Sequence, residues 1–81
     1  MKVSYPIIAQ ENLDEDGHYY VAFSPNIPGM VTQADSLLAL LDIAPDAIFT
    51  MLENENHPAV QDPKTWQLQA NESVHYVVVD L

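Results

Sequence analysis

The chain has 81 residues, which sets one small domain as the expectation. Twelve acidic residues face two lysines, a formal net charge of −10, which argues against direct binding to nucleic-acid phosphates and disfavours anionic membrane surfaces. There is no cysteine, hence no disulfide and no cysteine-based metal site, which fits a reducing compartment.

The opening "MKVSYPIIAQENLDEDG" has one lysine and no long apolar region, so no signal peptide is expected. No apolar run reaches the roughly 20 residues of a membrane-spanning helix, and the expected location is the cytoplasm. The acidity favours a basic protein partner, because complementary fields speed encounter. The plainer reading of the same charge is that it keeps a small protein soluble.

Residues 3–11, "VSYPIIAQE", alternate as a half-buried strand, with Val3, Tyr5, Ile7 and Ala9 on one face. Pro6 removes a ladder donor and is expected near the strand start or at a bulge. "NLDEDG", residues 12–17, reads as a turn, and "HYYVAFS", residues 18–24, as the returning strand of a hairpin. The prolines and Gly29 of "PNIPG" turn the chain into a short third strand at residues 30–33.

Residues 36–54 carry Leu37, Leu40, Leu41, Ala44, Ile48, Met51 and Leu52 at helical spacing, with Asp35 or Ser36 as the cap. Pro45 is expected to kink or interrupt this helix, with a bend near Leu41 to Ala44. In the polar stretch that follows, Asp62-Pro63 is expected to start one short helical turn, and Trp66 to fold back onto the core. "VHYVVVDL", residues 74–81, is apolar on both faces, which predicts a covered, paired strand rather than an edge. The expected fold is α+β, in the order β-β-β-α-β. A three-stranded meander is followed by a crossover helix, which brings the last strand beside the first, parallel and right-handed.

Several residue groups invite a chemical reading. "ADSLLALLDI" resembles the phosphopantetheine attachment site of acyl carrier proteins, whose serine opens a helix where the helix end favours an attached anionic phosphate. Ser36 would be the modified residue. Carrier proteins are helical bundles, however, and the strand periodicity on both sides of "ADS" favours a simple helix cap.

Asp14, Glu15 and Asp16 could hold a hard cation, but the later ligands of a calcium loop are missing and a solvated turn explains them. A metal nuclease needs inward-facing clustered carboxylates, and the spacing of Asp42, Asp46, Glu53 and Asp80 gives no such cluster. His18, His57 and His75 lack metal-ligand spacing. With only Gly17 and Gly29, no glycine-rich phosphate loop is possible. "NES" at 71–73 matches a glycosylation acceptor by chance. No catalytic residue, metal or cofactor is therefore expected.

Taken in order, the short motifs resemble a HicB-type antitoxin domain over nearly the whole chain. "YPIIAQE" matches the family's Tyr-Pro and aliphatic strand, "DEDGHYYVAF" its acidic turn and Gly-x-Tyr, and "PNIPGMVTQ" its Pro-Asp-x-Pro-Gly turn and Val-Thr-Gln strand. "ADS" matches the helix start and "VVVDL" the terminal strand. Asn26 replaces the usual aspartate, Ala34 a usual glycine, the capping box is missing, and Pro45 lies in a helix that is normally uninterrupted.

The resemblance implies a single HicB-like domain over residues 1–81 with a degraded RNase H-like fold and no enzymatic activity. It also implies a partner, a small basic HicA-type mRNA interferase toxin, neutralised by covering its catalytic histidine and RNA-binding face. Many family members continue into a DNA-binding segment. No basic tail follows Leu81 in this sequence, so DNA binding is not carried over. Asp14, Glu15 and Asp16 are the expected rim of the toxin interface, and open sheet edges would allow homo-oligomers.

Overall fold

The computed structural model describes residues 1–81. The elements follow as β1 (Lys2–Asp14), β2 (Gly17–Phe23), β3 (Val31–Ala34), α1 (Leu37–Leu52) and β4 (Glu72–Asp80), with a 3₁₀ turn at Pro63–Thr65 before β4. The α+β class and the element order agree with the sequence pattern. The strands form one sheet in the order β3-β2-β1-β4, and every neighbouring pair is antiparallel.

β1 and β2 make a tighter hairpin than "NLDEDG" suggests. The ladder runs out to Asp14 opposite Gly17, leaving only Glu15 and Asp16 in the turn. The Asp14 carboxylate accepts from the Asp16 amide at 2.8 Å, an aspartate turn that substitutes for backbone bonding. Gly17 follows at φ 128°, a geometry that side chains resist.

β1 is the central strand, and its alternation organises the sheet. In an extended strand the N–H and C=O of one residue point to the same side, and successive residues point to opposite sides. The Glu11 amide donates to the Asn71 carbonyl, on the β4 side. Ser24, just past β2, donates its hydroxyl to the Pro6 carbonyl at 2.7 Å. Odd residues of β1 therefore bond towards β4 and even ones towards β2. Pro6 has its missing donor on the β2 side, where the β2 ladder has already ended opposite Ile8. A proline in the central strand thus interrupts no ladder bond, and no bulge is needed.

The helix supplies the second layer. Leu40, Ala44, Ile48 and Leu52 form a buried stripe four residues apart, and they pack with Tyr5, Ile7, Ala9, Ala22, Val77 and Val79 of the sheet. Each fully buried leucine or isoleucine in such a stripe contributes about 1.5–3 kcal/mol. Ser36 caps the first turn by accepting from the Ala39 amide at 3.1 Å, and Asn54 ends the helix at φ 64°. Contrary to the expected interruption, the helix runs unbroken through Pro45. Proline forfeits one backbone bond there, to the Leu41 carbonyl, while the buried stripe on either side holds both turns to the sheet. Ile27 and Met30, from the proline-rich turn, close one end of this core. Gly29 sits there at φ 89°, where a Cβ would come within 3.2 Å of the Met51 methyl.

The last strand corrects the expected topology. β4 does lie beside β1, but the pairing runs from Lys2–Asp80 to Gln10–Glu72, which is antiparallel. The reason is the segment at residues 53–71. It leaves the end of α1 beside the start of β1, where the Pro58 carbonyl accepts from the Tyr5 hydroxyl. Asn26 holds it there through the Ala59 carbonyl and Gln61 amide. It reaches Glu11 at the opposite end of the sheet before β4 begins, with Asn71 bonded to that residue. The chain traverses the molecule twice, once as helix and once as this segment, so β4 enters from the far end. The parallel crossover and the RNase H-like arrangement built on it are absent.

The end of the same segment is tied to the second face of the sheet. Glu72 points to that face and accepts from the Gln69 amide and the Gln10 side chain. Pro6 and Ile8 are buried on the side away from the helix. The expected turn at Asp62-Pro63 is present, with Asp62 accepting from the Lys64 amide. Trp66 is half-buried, donates to Gln61 and is not part of the helix-side core.

Asn26 is the departure from the motif that the structure explains best. It is 2% exposed and uses both ends of its amide, donating to Ala59 and accepting from Gln61 at 2.9 and 2.8 Å. A carboxylate would keep only the second bond. Asn26→Ala is expected to destabilise the fold by about 1–3 kcal/mol in chemical denaturation. Asn26→Asp is expected to destabilise it most at neutral pH and less once the carboxyl is protonated. Equal stability of either variant with the parent contradicts the tether.

Candidate protein-interaction surface

Asp14, Glu15 and Asp16 all lie exposed at the tip of the β1–β2 hairpin. Asp14 and Asp16 also line an open concavity of about 420 Å³, shared with Gly17, His18, Tyr19, Gln33 and Asp35. The hairpin tip and the end of β3 thus bring Asp35, a cap candidate by sequence, beside two of the expected rim aspartates. Neither lysine lines this concavity, and Lys2 sits at the opposite end of β1. Three carboxylates therefore face solvent together, with no lysine among the lining groups.

A second, smaller concavity lies between the start of α1 and the sheet, where Glu11 and Tyr20 face each other across the β1–β2 ladder. The His18 ring lies 3.0 Å from the Glu11 carboxylate and stacks edge-on against Tyr20. The Tyr20 phenol is held above its ordinary value of 10.0, by partial burial first and then by the Glu11 carboxylate. Tyr5, fully buried, is raised by burial alone. Asp42, Asp46, Glu53 and Asp80 belong to no group of three or more carboxylates, histidines or cysteines that could hold a metal ion. Ser36 is an exposed helix cap, and the four-stranded sheet around it is not the helical bundle of a carrier protein.

The sequence reading missed one surface. β4 is an edge strand, not a covered one. Val77 and Val79 are buried under the helix, while Tyr76 and Val78 on the other face remain 56% and 55% exposed. The pattern of "VHYVVVD", apolar on both faces, does not distinguish a strand covered on both sides from an edge strand with one exposed apolar face.

The phenol shifts give a pH dependence with a definite sign. A raised folded-state value favours the neutral phenol, so the stability it contributes is complete below pH 10.0 and is lost as pH rises through the folded values. Ultraviolet difference titration is expected to show two tyrosines ionising above the ordinary value. Glu11→Gln is expected to bring one of them down, and an unchanged titration would remove Glu11 as a cause.

No match is found among curated proteins. The model of a domain of unknown function, DUF1902, matches residues 6–79, from within β1 to the penultimate residue of β4. With nearly the whole chain matched, this protein belongs to the DUF1902 family.

Proposed function

We propose that this chain is a binding module, a HicB-like antitoxin or a solo relative, that engages a small basic protein partner of the HicA ribonuclease type. One observation carries the reading: the hairpin end of the sheet gathers Asp14, Asp16 and Asp35 around one concavity with no lysine among its lining residues. The net charge of −10 adds a long-range field of the same sign, which attracts a cationic surface and steers its approach. The ordered motifs from "YPIIAQE" to "VVVDL" supply the identity of the partner by resemblance. The family match, to a domain of unknown function, is neutral on it.

Neutralisation in this reading is occlusion. The carboxylates at the hairpin tip form the charged rim, and apolar contact inside it excludes water. Covering the toxin's RNA-binding face removes activity without any covalent step, so the chain needs no catalytic group of its own. Inhibition is then limited by affinity and by the amount of each protein.

The decisive test is a search for a short basic open reading frame beside this gene, and co-expression of any such neighbour with this chain; absence of such a neighbour removes the antitoxin role. Growth arrest by the neighbour alone and relief by this chain are expected; continued arrest in the presence of the folded chain overturns the antitoxin role. Glu15→Lys with Asp16→Lys leaves the Asp14 turn acceptor in place. The double variant is expected to weaken the complex by at least about tenfold at low salt while the circular dichroism spectrum stays that of the parent. Unchanged affinity removes the hairpin tip from the interface.

A further inference from the structure

β4 is nine residues long and has a ladder partner on one side only. Its odd residues pair towards β1, as the bond from the Leu81 amide to Met1 continues to show. The backbone groups of Val74, Tyr76, Val78 and Asp80 therefore point outward, and no hydrogen bond within the chain reaches any of them. Natural edge strands are blunted by lysine, proline, bulges or shortness. The other edge follows that rule, since β3 has only four residues. β4 has none of these devices, and its outward face adds the exposed Tyr76 and Val78.

Charge selects the occupant. Glu72 and Asp80 stand at the two ends of β4, on the same face and eight positions apart. Glu72 accepts only from the neutral Gln69 amide and Gln10 side chain, so its charge is uncompensated, and Asp80 meets the N-terminal ammonium in an exposed pair at 3.3 Å, which solvent leaves weak. A second copy of the chain, paired antiparallel about Tyr76, would set Glu72 opposite Asp80 at both ends. Like charges directly opposite are destabilising, and each copy would bring a further net charge of −10. A strand with cations at its ends and apolar residues between them meets neither penalty.

We propose that the free edge of β4 takes up an extended segment of a partner protein as a fifth strand, with basic residues opposite Glu72 and Asp80 and β-branched residues opposite Val74, Tyr76 and Val78. Main-chain bonds supply the affinity and the alternating side chains the selectivity, as in other strand-addition complexes. The choice of a basic segment rests on the reading of the chain as a binder of a cationic protein; the choice of edge rests on the backbone alone.

The probe is the peptide Lys-Thr-Val-Thr-Val-Thr-Val-Thr-Lys, with a version carrying glutamate at both ends as control. Amide chemical shifts and hydrogen exchange of the full chain are followed by NMR at low salt. Binding of the lysine peptide is expected to slow exchange at Val74, Tyr76 and Val78, with the glutamate version about tenfold weaker. Val78→Pro removes an outward donor without touching the β1 ladder, a position where edge strands accept proline. It is expected to stay folded and to lose binding, whereas Val78→Thr is expected to keep it.

Lysine-peptide binding that protects the hairpin tip instead of β4 overturns the edge and leaves the basic-partner reading standing. Equal binding of both peptides overturns the charge selection and with it the support that reading draws from acidity. Absence of binding by either peptide overturns the proposal, as does protection of the β4 edge in the free protein through self-association.

Discussion

The structure depends on the two-sidedness of β1. Its odd residues bond towards β4 and its even residues towards β2, so one strand organises the whole sheet. Its side chains are divided the same way. Tyr5, Ile7 and Ala9 join the helix-side core, while Pro6 and Ile8 are buried on the opposite face. A one-residue slip of β1 would reverse both divisions. It would place the proline's missing donor in the β4 ladder and turn Tyr5 away from the Pro58 carbonyl. The tolerance of Pro6, the burial of Tyr5 and the choice of which β4 backbone groups point outward are consequences of a single register.

Local structure was legible in the sequence because each element carries its own period. The hairpin, the short third strand, the capped helix and the turn at Asp62-Pro63 follow from alternation, helical spacing and turn residues. What escaped depends on non-local geometry. The direction of β4 is set by how far residues 53–71 travel, and a polar, irregular segment holds no periodic record of its path; only tethers such as Asn26 to Gln61 and Asn71 to Glu11 reveal it. Pro45 does not interrupt the helix. Its local penalty is real, but the stripe from Leu40 to Leu52 packs on both sides of it, and burial outweighs one missing backbone bond.

The acidic hairpin tip was visible as "DEDG", and the fold adds Asp35 by ending β3 beside it. The β4 edge was concealed by a sound rule applied to the wrong cause: a strand apolar on both faces is normally covered by its own chain. Here the inner face meets the helix, while Tyr76 and Val78 on the outer face and one side of the backbone stay exposed. Acidity and an unpaired edge are then complementary features. The charge discourages pairing between copies, and the edge offers a regular set of bonds to a strand of the opposite charge.

The central structural claim is that β4 runs antiparallel to β1 with one side unbonded. Amide hydrogen exchange of the free protein tests it residue by residue. Slow exchange is predicted at Ser73, His75, Val77 and Val79, which bond to β1, and fast exchange at Val74, Tyr76 and Val78. Uniform protection along β4, or protection that follows the opposite alternation, would contradict the register and with it the open edge.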